Sequence, residues 1–292
     1  MGTLVTVTVE DRSAGRIEEA LARAFEEMER VAALLTRFEE SSAVGVLNRD
    51  GRLGDPPPEL RRVLSRGLEI HRLSEGAFDP TVAPLVDLYQ VHFAAHGGPP
   101  DAVELREVKE LVGAGHVLLD DRRLRLGREG MALTLDGIAK GYVVDRMVAE
   151  LAGQGVRHAL VNAGGDIRAL GGRADGRPWR VGVQDPRRAA EVTDVIPLAD
   201  AAVATSGDYV RFHDLARQYH HTVVPSTGRS PDAIASVSVR AATAMEADAL
   251  ATAVFALGPE AGLALLESRP EVAGLVLTRD GGRRASPGWP PR

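Results

Sequence analysis

The chain contains no cysteine. That absence excludes a disulfide frame, a thiolate nucleophile and a cysteine-ligated zinc together, and it fits any redox compartment. Aromatic residues make up only 4% of the 292 residues. Lysine is nearly missing: among 35 basic residues only Lys109 and Lys140 are lysines, and arginine fills the rest. No stretch approaches the roughly 20 consecutive apolar residues of a membrane-spanning helix. The formal net charge is −6, and there is neither a basic run nor an RNA-binding aromatic signature. Both facts argue against nucleic acid as the main partner. Met1 to Glu10 lacks the basic region and continuous apolar core of a signal peptide. As written the chain reads as cytoplasmic; a leader ahead of Met1-Gly2-Thr3 would make it periplasmic or extracytoplasmic.

What is present is a globular pattern, with 44% hydrophobic residues. Val5, Val7 and Val9 alternate with Thr6 and Thr8, as in a half-buried strand. Ile17, Leu21, Phe25, Met28, Val31 and Leu35 then recur at helical spacing. Helical period returns over Leu60–Leu73, Gly137–Leu151, Ala244–Leu257 and Pro259–Glu267. Strands are expected at His158–Asn162, Trp179–Gln184, Val195–Thr205, Tyr219–Val224, Ile234–Arg240 and Val272–Leu277, with a hairpin turning at Asp120-Asp121. Helices and strands mix without regular βαβ alternation. The expected class is therefore α+β, with mixed, largely antiparallel sheets flanked by helices. The expected organisation is one catalytic domain over 1–280, with room for two intertwined subdomains, and a loose Gly/Pro/Arg-rich tail over 281–292.

Six short motifs invite a chemical reading, and each has a plainer one. Thr134 to Tyr142 places small residues before a helix that carries the unusual Lys140. Free N–H groups at a helix start favour an anion, yet a plain N-terminus capped by Thr134 or Asp136 has the same spacing. Asp248 and Thr252 stand at i and i+4 on one helix face. Their hard oxygens suit Mg²⁺, but an exposed polar stripe looks alike, and an exposed carboxylate adds little stability. Asn162 to Asp166 is a tight glycine turn with an acidic end. Ala204 to Tyr209 reads as a small-residue loop. His220 and His221 alternate faces on a strand, so only one faces a site. Gly76 to Val82 contains an Asp-Pro turn entering an apolar segment, where Asp79 is placed to accept local N–H groups.

Taken together and in order, these motifs resemble the FAD:protein FMN transferase (ApbE) family. Ser42 to Asn48, Gly76 to Val82, Gly137 to Tyr142, Val161 to Ile167, Trp179 to Pro186, Ala204 to Tyr209, Pro225 to Gly228 and Ala247 to Thr252 carry the likeness across nearly the whole chain. The resemblance implies Mg²⁺-dependent transfer of FMN from FAD to a threonine or serine of an acceptor flavoprotein, releasing AMP. It implies Asp248 and Thr252 as metal ligands with the Gly137 carbonyl. It also implies FAD contacts at Met1, Phe38, Ala77, Phe78, Asp79, Thr134 and Lys140, with the pyrophosphate near Lys140 and the ring system near Phe38 and Phe78. His221 falls at the family's histidine near the reacting phosphates. His221 and then Asp136 are the candidate bases.

The chain departs from the family pattern at three places. Thr134 stands for the first aspartate of Asp-Leu-Gly-Gly-Ile-Ala-Lys, Asp136 stands for a small residue, and Val224 stands for the aspartate before Pro225. These departures keep two other readings open: FAD hydrolysis to FMN and AMP, and flavin binding without chemistry.

Overall fold

The computed structural model describes residues 2–10, 14–188, 190–209, 212–214 and 218–290. Twelve strands and eight α-helices are assigned among them: β1 Val5–Val9, α1 Ala14–Leu35, α2 Ala43–Asp50, β2 Arg52–Gly54, α3 Pro58–Leu73, α4 Ala83–His96, α5 Ala102–Lys109, β3 Val117–Leu119, β4 Arg123–Leu126, α6 Ala139–Gly153, β5 Ala159–Ala163, β6 Asp166–Leu170, β7 Trp179–Gln184, β8 Val192–Leu198, β9 Ala202–Gly207, β10 Ile234–Ala241, α7 Ala244–Leu257, α8 Pro259–Glu267, β11 Ala273–Thr278 and β12 Arg283–Ala285. The class is α+β, as expected. Seven strands form one sheet in the order β1-β5-β6-β9-β10-β11-β12, β2-β4-β3 form a second, and β7-β8 a third. Among the described residues every strand pairing is antiparallel. Among the described residues no helix is long and apolar enough to cross a membrane.

The large sheet is covered on both faces. On one side lies α7, apolar nearly all round; Leu250, Val254 and Phe255 are wholly buried in a core shared with Val237 and Val239 of β10. Beside it α6 and α1 pack on β5 through Val144, Met147, Leu151 and Val161. On the other side the β7–β8 hairpin closes over the sheet, with Trp179, Val181, Ile196 and Leu198 against Val203, Leu275 and Leu277. The hairpin's alternation of buried and exposed residues follows from covering one face only.

Four expectations change. The single strand expected over Val195–Thr205 is two, β8 and β9, in different sheets. The break is carried only by Ala199 to Ala201, where Asp200 takes a left-handed φ of 47° and its carboxylate accepts the Gly171 N–H at 2.7 Å. So short a corner inside an apolar run leaves no periodicity signal. Ala204 to Tyr209, expected as a loop, belongs largely to β9. Tyr219–Val224 forms no strand; its backbone makes only isolated bridges, Phe212 with His220 and Val224 with Arg229. Finally, residues 281–290 are not loose. β12 pairs with β11, Ser286 Oγ accepts the Gly274 N–H at 2.9 Å, and Trp289 is buried in the apolar cluster between the large sheet and the β7–β8 hairpin.

Candidate functional site

The chemistry-bearing side chains meet where α6 and α7 begin. The segment before α6 is held by Thr134, whose N–H donates to the Pro80 carbonyl at 2.8 Å and whose hydroxyl accepts the Asp136 N–H at 3.2 Å. Helix α6 then starts at Ala139, two residues later than periodicity suggests. Its N-cap is Ile138, with no side-chain cap, rather than Thr134 or Asp136. The missing cap comes from far away in sequence: Asp248 on α7 accepts the Gly141 N–H at 3.0 Å. Asp248 is only 5% exposed, which corrects its reading as an exposed helix carboxylate. It satisfies a buried helix-start donor that has no local acceptor.

A second carboxylate joins it. Gly164 and Gly165, with φ of 58° and 97°, make the tight turn between β5 and β6. Asn162 Oδ1 accepts the Gly165 N–H at 3.0 Å. A Cβ on Gly164 would lie 2.1 Å from the Thr3 hydroxyl, so the turn admits no side chain there. The turn delivers Asp166 fully buried, in an ion pair with Lys140. Burial, and then the neighbouring Asp248 charge, push the Asp166 carboxyl well above the ordinary carboxylate range, with Lys140 opposing both. Beyond that ammonium, neither Asp166 oxygen has a hydrogen-bond donor among the described residues. The sequence motif marks Asp166 only as the acidic end of a turn. The signal available was the pairing of that aspartate with the chain's one lysine at a helix start.

One turn along α7 from Asp248, the Thr252 hydroxyl faces the Gly137 carbonyl at 3.5 Å. A Cβ on Gly137 would come within 3.0 Å of Thr252 and 3.2 Å of the Phe78 ring, so glycine is what lets loop and helix meet. Gly137, Lys140, Asp248 and Thr252 thus lie together at the start of the two helices. Phe78 is not an open aromatic wall: it lies in the main core behind Gly137. Phe38 is the exposed ring, at 66%, with the Arg37 guanidinium 4.7 Å above it. Ala77 is half-buried, its N–H donating to the Ser74 carbonyl at 3.0 Å.

Asp79 is buried in its turn. Its Oδ1 accepts the Thr81 N–H at 2.7 Å and the Thr81 hydroxyl at 2.6 Å, and its Oδ2 accepts the Ala114 N–H at 3.2 Å. Asp136 does not occupy the buried position vacated by the family aspartate; it is exposed, with Arg37 Nε 3.9 Å away. His221 is half-buried beside His220, the ring centroids 6.3 Å apart. His220 is wholly buried and its Nε2 meets the Pro231 carbonyl at 2.9 Å. Burial lowers its pKa to about 4. Of the pair, His221 is the one with solvent access, although the segment is not the strand whose alternation suggested it. Met1 lies outside the described residues.

The donor set fits a hard divalent cation in kind: a carboxylate, a hydroxyl and a carbonyl on two elements in contact, next to a buried carboxylate short of donors. Among the described residues no three His, Asp or Glu side chains converge elsewhere or here, so such an ion would also need substrate oxygens. An open groove of roughly 1500 Å³ lies on the opposite side of the sheet, lined by the β7–β8 hairpin and by Arg173, Arg180, Arg187 and Arg283. None of the clustered residues lines it. We take the buried cluster as the site, because convergent desolvated groups carry chemistry and volume alone does not.

The chain is 34% identical to the FAD:protein FMN transferase of Treponema pallidum, over 99% of this chain and 85% of that protein. It is 29% identical to the enzyme of the same name from Haemophilus influenzae, over 97% and 86%. Its fold superposes on the flavin transferase ApbE of Vibrio cholerae with a TM-score of 0.84 at 29% identity, covering 98% of this chain and 94% of that one. It superposes on the ApbE protein of Thermotoga maritima with a TM-score of 0.86 at 32% identity and the same coverage. The sequence model of the ApbE family matches residues 1–276, and with that match the chain belongs to the ApbE family.

Proposed function

We propose that this protein transfers the FMN half of FAD to a serine or threonine hydroxyl of an acceptor protein, releasing AMP, with Mg²⁺ at Asp248, Thr252 and the Gly137 carbonyl. The observation that supports it most is the meeting of Lys140, Asp166, Asp248, Thr252 and Gly137 at the start of two packed helices, in a chain of this family. Attack on a pyrophosphate is limited by negative charge on the phosphoryl oxygens, so fixed positive charge aimed at them is the main requirement. When bound, Mg²⁺ supplies Lewis-acid charge neutralisation of the phosphates. Lys140 supplies a second cation. Asp166 holds that ammonium in place through their ion pair.

The acceptor oxygen bonds to the FMN-side phosphorus, the bond from that phosphorus to the bridging oxygen breaks, and AMP leaves with the bridging oxygen. The hydroxyl proton passes to a base. His221 is the first candidate, because Asp136 already faces Arg37. Phe38, exposed at the rim, is the ring available to stack on the isoalloxazine, while Phe78 and Asp79 shape the floor. The test is incubation with FAD and Mg²⁺, with and without a candidate acceptor. AMP together with flavin covalently attached to a Ser or Thr of the acceptor, read by mass spectrometry, is the expected result. AMP without attachment would mean an FAD pyrophosphatase, and no AMP a flavin-binding protein.

A further inference from the structure

Helices α6 and α7 cap each other. Asp248 accepts the Gly141 N–H of α6 at 3.0 Å. In return Asp145 of α6 accepts the Ala244 N–H at 2.8 Å and the Met245 N–H at 2.9 Å of α7. Each helix thus offers a donor one turn before a carboxylate, Gly141 before Asp145 and Ala244 before Asp248, and spacing of four puts each pair on one face. The two faces touch without room between them: a Cβ on Gly141 would lie 2.2 Å from the Ala244 carbonyl oxygen. Strand β6 ties the arrangement to the sheet. Asp166 and Arg168, two residues apart and hence on one face of the strand, reach Lys140 and Asp145 respectively.

The two caps are not equivalent. Helix α7 has a local cap as well, since the Thr243 hydroxyl accepts the Glu246 N–H. Helix α6 has none, so the start of the helix bearing Lys140 depends on where α7 holds Asp248. We infer that Asp145, braced by Arg168, is a positioning residue: it sets the register of α7 on α6 and thereby fixes Asp248 against Gly141 and the metal-and-phosphate site. The inference rests on the role proposed for Asp248 above.

The decisive variant is Asp145→Asn, which keeps the shape but presents only one acceptor oxygen to two N–H groups. Thr243→Ala is the control, weakening the start of α7 without touching the tie to α6. In the ligand-free protein, amide hydrogen exchange over residues 139–142 is expected to speed up about tenfold or more in Asp145→Asn and to stay unchanged in Thr243→Ala. In turnover with FAD, Asp145→Asn is expected to lower kcat and raise the half-saturating Mg²⁺ concentration by roughly tenfold each, with the KM for FAD nearly unaltered. If Asp145→Asn does not fold, Arg168→Gln gives the same readouts at smaller amplitude. An Asp145→Asn protein that melts earlier, as is expected of Thr243→Ala, but keeps wild-type exchange at 139–142 and wild-type Mg²⁺ dependence would overturn the inference and leave Asp145 a helix cap only. If the wild type releases no AMP from FAD, the proposed function fails, while the exchange experiment still decides the role of Asp145.

Discussion

Two charged regions on opposite sides of one sheet make a useful contrast. The groove beside β7–β8 is open and rich in arginine, and several of its charged side chains are paired nearby. Arg283 pairs with buried Asp194 at 2.8 Å, and Arg188 pairs with Asp185 and Glu191. The start of α6 and α7 is close-packed, and there Asp166 and Asp248 are both buried, with Lys140 paired to Asp166. Exposed ion pairs are screened and contribute little. Buried carboxylates with incomplete hydrogen bonding are costly unless a donor or a cation compensates them. Here the shape of the surface and the location of reactivity point in opposite directions.

The contrast predicts effects of very different size. The largest is Asp248→Ala. AMP release should fall by at least about a hundredfold through loss of a charge aimed at the phosphates, and stability should drop by about 1–3 kcal/mol because the buried Gly141 N–H loses its acceptor. Chemical denaturation alongside the AMP assay separates the two losses. A variant as stable as wild type would contradict the capping geometry.

Next is the pH response of His220. In the unfolded chain its imidazole takes up a proton near its ordinary value of 6.5; in the folded protein it does so only near 4. Protons therefore favour the unfolded state between these values. Stability from this group is complete above about pH 6.5 and is lost as pH falls toward 4, by roughly 3 kcal/mol in all. The raised carboxyls of Asp145 and Asp166 act in the opposite direction, so the His220 share is read as the difference between wild type and His220→Gln in urea melts from pH 7 to 4. Parallel pH profiles for the two proteins would refute it.

Asp79→Ala should cost about 1–3 kcal/mol, because the Thr81 and Ala114 N–H groups lose a buried acceptor; the melting temperature checks it. The smallest effect belongs to the groove: Arg180→Ala should change stability by less than about 0.5 kcal/mol and leave AMP release at the wild-type rate. A large loss of AMP release there would break the contrast and move the chemistry to the other face.

Much of this arrangement is legible in the chain itself. Period-two and period-3.6 patterns mark β1, β7, α3 and α8 nearly to the residue, because burying one face of a strand or helix imposes its repeat on the sequence. The motifs that resemble the ApbE family name Lys140, Asp248 and Thr252, and the structure brings these together with Gly137. What the sequence determined was which residue types are present and which local element carries each. Burial and pairing were decided only by tertiary structure, because they depend on contacts between different elements, the Gly141–Asp248 bond spanning 107 residues. The Gly141 N–H needs an acceptor that no nearby residue provides, and Asp248 reaches it only once α7 crosses α6. Asp166 is a plain turn residue until β6 is laid beside those helices and Lys140 becomes its partner. Local repeats encode faces; the desolvation that makes a carboxylate reactive is a property of the packed whole.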